Sequence, residues 1–431
     1  MVTRANPEPR PAILHRAIEA TACVSILAVA FAITLNLQDR FILIKESVFR
    51  VEALLLLVLV VAAIAFGGTG RVRAMLGNRA MIGLLAGAVL WTAVATLFSS
   101  ERSLSGESLL TVVLSAILVF AIWYAAPWMS LWILDAVAVA AVVNAIMTAG
   151  QQFGWIATFP AGPEALEHLL ITALIGNPNV VGSYLALATV LLAFAALQLR
   201  GLRRWLYAVA ATVAAAGMFV SQTKTAMIVL AVALFIAALM HSRRTAAILV
   251  GIVVLVLAAG AVMRVPVVTT LLSLPSYALQ GRWDMVTSSR LTPSLVAFEM
   301  FRDDPLTGMG PGTFKHHYFF YRLRVVGSYS PRLTVGAPEM FGETHNDHLQ
   351  MLAEGGLPAW LLMLAALYAL VRPRSAFAAD DARGRIARAW SVPFATAVFV
   401  LCLAQFPLQI AITRHLILTF SALIVGWREA R

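Results

Sequence analysis

The run Gly342-Glu343-Thr344-His345-Asn346-Asp347-His348-Leu349-Gln350 brings two imidazoles and two carboxylates into nine residues. It reads as a helix start. Thr344 can serve as the N-cap, with Asp347 three positions on in a capping-box arrangement. Leu349 and Leu352 follow at helical spacing, and Gly355-Gly356 ends the run. His345 is then expected in the first turn, beside unpaired backbone N–H groups and the positive end of the dipole. Such a place disfavours imidazolium and draws anions, which suits a general base acting on a phosphate-linked substrate. A histidine that merely packs at a helix start would read the same way. His345 and His348 share a helix face, but Asp347 points elsewhere and no second cluster completes a shell, so no metal is expected.

Cations that could face an anion are plentiful nearby. Residues 264–355 carry Arg264, Arg282, Arg290, Arg302, Lys315, Arg322, Arg324 and Arg332. Arginine suits bidentate phosphate binding, while solvent or lipid headgroups would account for most of these side chains. Arg290 opens a helical pattern through Phe298 and Phe301. Lys224 lies in Ser221-Gln222-Thr223-Lys224-Thr225-Ala226, a turn between two apolar runs, too short to leave it far from the mouth of a bundle. A snorkelling anchor is the plainer reading of that lysine. The glycines of Thr307-Gly308-Met309-Gly310-Pro311-Gly312-Thr313 suggest a phosphate loop only superficially. No strand precedes them, no Lys-Ser/Thr follows, and Pro311 removes a donor, so a turn is expected.

What must position these groups is a membrane bundle. The 431 residues are 61% hydrophobic and 12% charged, about half the charge of a soluble chain. Apolar runs of about 17–20 residues recur, each able to cross a hydrocarbon core about 30 Å thick. The fold class expected is an all-α integral membrane protein, because backbone in lipid must satisfy its own hydrogen bonds. About twelve transmembrane helices are read, near 17–35, 51–67, 80–98, 108–126, 130–149, 170–199, 206–220, 226–240, 246–263, 356–371, 391–410 and 413–427. Gly176-Asn177-Pro178-Asn179 interrupts the sixth, as a helix-start turn or as a break lining a cavity. The domains expected are residues 1–263 (nine spans), 264–355 (one large polar loop carrying the site) and 356–431 (three spans).

Alternating from a cytoplasmic N-terminus, the inside segments hold 18 basic residues and the short outside ones 6. By the positive-inside rule both termini face the cytoplasm and the polar loop faces outward. The net charge of +11 is read as topology and contact with membrane lipids, with no nucleic acid as partner. Cys23 and Cys402 fall in apolar runs and imply neither a disulfide framework nor a metal site.

At these residues the chain resembles the O-antigen ligase family. The matching pieces are Ser221-Gln222-Thr223-Lys224, Gly281-Arg282-Trp283, the Pro305–Gly312 turn, and His345-Asn346-Asp347-His348 running into Glu354-Gly355-Gly356. The resemblance covers roughly residues 176–371. It implies a GT-C-type glycosyltransferase in the bacterial inner membrane, with its active site in a periplasmic loop. Such enzymes move an O-antigen glycan from undecaprenyl pyrophosphate to the lipid A-core oligosaccharide, inverting the anomeric carbon without metal or other cofactor. The family's catalytic histidine corresponds to His345 and its loop arginine to Arg282. Lys224 stands where the family usually has arginine, which keeps the charge and loses the bidentate contact. On this reading His345 is the base, Arg282 and Lys224 hold the donor pyrophosphate, and Asn346 and Arg290 support them.

An O-antigen polymerase or a protein O-oligosaccharyltransferase would use the same donor, and no motif here encodes the acceptor pocket. A glycolipid or anion transporter is the reading from another class. It should show charges spread through the spans and symmetry between halves. The spans are nearly charge-free, with Glu19 and Asp135 the exceptions, and no internal repeat is evident.

Overall fold

A computed structural model describes residues 9–34, 40–159, 171–262, 266–334, 340–372 and 381–429. Arg264 lies outside the described residues, as do Arg4, Arg374 and Arg431 of the charge count. All regular structure among the described residues is helical. In chain order come α1 (Pro9–Phe31), α2 (Ile42–Ala63), α3 (Thr69–Leu76), α4 (Arg79–Phe98), α5 (Arg102–Ala125) and α6 (Trp132–Gln152). Next are α7 (Pro178–Gln198), α8 (Leu202–Val220), α9 (Lys224–His241), α10 (Arg243–Val262), α11 (Pro266–Leu279) and α12 (Trp283–Thr287). The last six are α13 (Leu291–Asp303), α14 (Phe314–Ser328), α15 (Pro331–Thr334), α16 (Asp347–Val371), α17 (Ala382–Ala404) and α18 (Ala411–Glu429).

Nine helices among the described residues are long and apolar enough to cross a membrane: α1, α2, α4, α5, α6, α7, α9, α16 and α17. Helices α8, α10 and α18 occupy the places of the other three expected spans. The multi-pass, all-helical class therefore stands. Helix α7 is the hub, with 83% of its apolar window buried against 11% for α4. Its Gly182, Ser183 and runs of alanine let neighbouring backbones come close, and it packs against α6, α8, α9 and α17. It begins where the sequence suggested, with Asn177 as N-cap accepting from the Asn179 amide at 2.8 Å and Pro178 at the first position.

The spans hold more charges than Glu19 and Asp135, since Lys45 and Glu52 of α2 are also buried. Glu19 and Asp135 both have local partners. Glu19 accepts from the Ser130 amide and hydroxyl, each at 2.6 Å. Asp135 accepts from the Tyr207 hydroxyl at 2.6 Å and from Arg203 at 3.1 Å.

The polar loop is held to the bundle at a break in α16. Gly356 adopts φ 67° and ψ −172°, outside the helical region. The helical run that begins at Asp347 is therefore interrupted where Gly355-Gly356 was expected to end it, and a second run continues to Val371. The Pro305–Gly312 turn inserts at this break. Leu357 donates to Pro305 O at 2.9 Å, Met309 to Ala353 O at 2.9 Å and Gly310 to Glu354 O at 3.0 Å. A Cβ on Gly356 would lie 1.9 Å from Leu306 O, and one on Gly310 (φ 113°) would lie 2.1 Å from Ser99 Oγ. Only glycine permits such contact. The Glu354 carboxylate accepts from the Gly312 and Phe314 amides at 2.9 and 3.0 Å, capping the start of α14. Behind the turn, Val296, Ala297 and Met300 of α13 meet Phe314, Tyr318 and Ala353 in a second small core. The glycine run is thus a docking turn, as its chemistry suggested, and it fixes α13 and the start of α16 relative to each other.

Candidate active site

His345 sits outside the helix, one residue before its N-cap, and not in the first turn as the sequence implied. Asn346, not Thr344, caps α16, and its Oδ1 accepts from the Leu349 amide at 3.0 Å. Asp347 does not close a capping box. It is the first helical residue, buried, and accepts from the Leu408 amide at 2.9 Å. Thr344 instead folds a local turn, its hydroxyl donating to Asn346 O at 2.6 Å and accepting from the Asn346 amide at 3.0 Å. Asn346 outcompetes Thr344 because its longer side chain reaches the amide three positions on from a β-region backbone. His345 is left between them at φ 55°, a region that non-glycine residues seldom occupy.

That strained backbone recurs around the site. The described non-glycine residues with positive φ are Ala173, Gln222, Ser288, Ser289 and His345. Four of the five are His345 itself or lie within two residues of Lys224 or Arg290. Held strain of this kind clusters where side chains must be aimed. Gln222 turns the chain into Lys224 at the start of α9, and Ser288 and Ser289 turn it into Arg290, the N-cap residue of α13. The two turns meet, with Lys224 Nζ donating to Ser288 Oγ at 3.3 Å.

Arg290 joins the pieces. Its Nη1 donates to Ala404 O, the end of α17, at 2.8 Å. Its charge is felt by both Lys224 and His345. Burial comes first and Arg290 second in holding the His345 imidazole down at about 4, while the Gln405 side chain opposes them. The ring is therefore neutral at pH 7. Burial likewise lowers the pKa of Arg290. His345 packs edge-on against Phe406 at 4.6 Å and Phe341 at 5.4 Å, and its buried Nδ1 has no hydrogen-bond partner. Two residues before it, burial pushes the Glu343 carboxyl up to about 7; Gln350 donates to it.

Arg282 stands apart. Its guanidinium lies 5.2 Å over the Tyr277 ring, exposed, with no hydrogen bond or ion pair among the described residues. The structure brings His345, Arg290 and Lys224 together with Asn346 at the helix cap, and it leaves Arg282 on the preceding loop, before α12. Sequence reasoning missed Gln405 and Phe406. The expected span 391–410 breaks after Ala404, and residues 405–410 form a turn that floors the site. Pro407, flanked by Gln405 and Gln409 in an apolar run, was the available signal. No group of three or more metal-ligating residues occurs among the described residues.

A multi-pass helical protein that holds a neutral imidazole and two cations where its polar loop meets the bundle has the makings of a membrane transferase. Residues 209–364, from α8 into α16, match the family model described as O-antigen ligase. The family points to a glycosyltransferase-like enzyme of O-antigen processing in lipopolysaccharide biosynthesis, with lipid-linked glycan and lipid A-core as partners in general terms. No curated protein matches the chain significantly.

Proposed function

We propose that the chain is an O-antigen ligase of the inner membrane. It transfers a glycan from undecaprenyl pyrophosphate to a hydroxyl of the lipid A-core oligosaccharide at the periplasmic face. One observation carries this reading: a buried, neutral imidazole with an unpartnered ring nitrogen lies within the field of Arg290, which also reaches Lys224.

In this mechanism His345 takes the proton from the acceptor hydroxyl as its oxygen attacks the anomeric carbon. The bond from that carbon to the pyrophosphate oxygen breaks on the opposite face, which inverts the configuration. Undecaprenyl pyrophosphate leaves with the electron pair. Arg290 and Lys224 hold the departing diphosphate and stabilise its growing charge. Arg282, exposed on its loop, is a further cation that the donor could recruit on binding. Low local polarity strengthens each of these interactions. The proton has somewhere to go, because a ring that is neutral at pH 7 accepts it and solvent at the loop surface removes it after transfer.

Fixed cations beside the leaving group support a reaction that needs no divalent metal. Reconstitution with purified undecaprenyl-pyrophosphate glycan and three separate acceptors tests the assignment: lipid A-core, a second lipid-linked glycan, and a protein. Product on lipid A-core, unaffected by chelator, is expected. Product only on the second glycan would make it a polymerase, and product only on protein an oligosaccharyltransferase.

A further inference from the structure

A cavity of about 570 Å³ lies among α2, α4, α5, α16 and α18. None of Lys224, Arg282, Arg290 or His345 lines it. Its size falls within the range of about 300–1,000 Å³ typical of ligand pockets. The shaft is apolar, walled by residues such as Leu85, Ala88, Ala116, Leu367 and Ile417. Both Glu354 and Leu370 of α16 border it, and that length of helix rises about 24 Å. Apolar walls of this kind gain dispersion contacts from a hydrocarbon chain. Water finds too few polar partners along them.

At the end nearest the loop the lining becomes polar, with Glu46, Arg50, Glu107, Glu354, Gln409 and Arg414; the Glu354 carboxylate is taken up by the Gly312 and Phe314 amides. Arg414 is 7% exposed and pairs with Glu46 through Nη2, while its buried Nε has no partner. Glu46 also carries Arg50 at 3.6 Å, so two guanidiniums share one carboxylate, and Arg414 Nη1 leans on the Leu408 and Gln409 carbonyls at 3.4 and 3.5 Å. Glu107, at the start of α5, makes no ion pair among the described residues and is exposed at the mouth. One end of the shaft therefore offers two guanidiniums on a single shared carboxylate and, apart from them, the exposed carboxylate of Glu107.

We propose that this cavity binds one hydrocarbon chain of a zwitterionic membrane phospholipid. The lipid's phosphate meets Arg50 and Arg414, and its ammonium meets Glu107. Helix α4, the least buried of the nine, forms the wall through which the chain enters from the bilayer. This site goes beyond the transfer reaction and does not depend on it.

The full chain is reconstituted in vesicles of equal parts ethanolamine-headed and glycerol-headed phospholipid, then re-extracted in detergent, washed, and its retained lipid counted by mass spectrometry. The result expected is about one lipid per chain, with the ethanolamine head enriched roughly threefold, the factor that one partly exposed ion pair supplies. Glu107→Gln should return the head-group ratio to that of the vesicles. Ala88→Trp and, independently, Ser115→Trp should fill the shaft and abolish retention, with circular dichroism showing that at least one variant is folded. Wild-type chain that retains no lipid, or equal retention in a folded shaft-filling variant, overturns the site. An unenriched ratio in the wild type overturns the head-group assignment. None of these readouts involves glycan transfer, so their failure leaves the proposed activity standing.

Discussion

Replacing Arg290 with glutamine should move the acid limb of the reaction in a defined direction. The His345 imidazole is held at about 4 against an ordinary 6.5, first by burial and then by Arg290. That depression corresponds to about 3 kcal/mol in favour of the neutral ring. Because kcat/KM reports the ionisations of the free enzyme, wild-type activity should persist well below pH 6.5 and fall only as pH nears 4. Arg290→Gln removes the charge and keeps the burial, so the limb should rise toward 6.5 without reaching it. At pH 7 the same change should cost about 10²–10³-fold in rate, the usual effect of losing one electrostatic partner of a leaving group. The sign for folding follows from the same shift. A histidine whose folded pKa lies below its unfolded one contributes stability fully above about 6.5, and loses it as pH falls toward 4. The assay is kcat/KM for donor between pH 4 and 8 in vesicles of fixed composition. A wild-type limb near 6.5, or a limb that stays put or falls in Arg290→Gln, would refute the reasoning.

Three further outcomes are expected. Lys224→Ala should raise the donor KM, whereas Lys224→Arg should preserve or improve it; equal donor dependence in Lys224→Ala would remove that residue from the site. Gly310→Ala forces a side chain onto Ser99 from a positive φ, which should cost about 1–3 kcal/mol and show as a lower thermal midpoint. An unchanged midpoint would mean the docking turn is looser than described. Glu354→Ala strips the Gly312 and Phe314 amides of their acceptor, at about 1–3 kcal/mol for each buried donor left unpaired. Proteolysis of the loop in native vesicles reads that loosening directly, and wild-type resistance would contradict it.

Much of the bundle was legible because lipid imposes a coarse code. Run length and the scarcity of charge placed the helices, and Asn177-Pro178 marked the start of α7 as its chemistry demands. Arg290 at the head of α13 was read from helical spacing alone. The misplacement of the α16 cap was local. Thr344 and Asn346 are both competent caps, and sequence does not rank two caps set two residues apart when one has a backbone turn of its own to make. The break after Ala404 was missed because a hydropathy window averages over Pro407 and its flanking glutamines. Arg282 and Arg290 could not be separated from the sequence, since eight basic residues share the loop. What distinguishes Arg290 is burial and its bond to Ala404 O, a contact between residues 114 positions apart. Long-range pairing of that kind leaves no trace in spacing.

The account rests on His345 as the base, and single-turnover transfer by His345→Ala tests it most directly. Vesicles loaded with undecaprenyl-pyrophosphate glycan and lipid A-core, with insertion verified by protease mapping, should show a rate reduced by about 10²–10⁴-fold. Transfer at the wild-type rate in that variant would contradict the account.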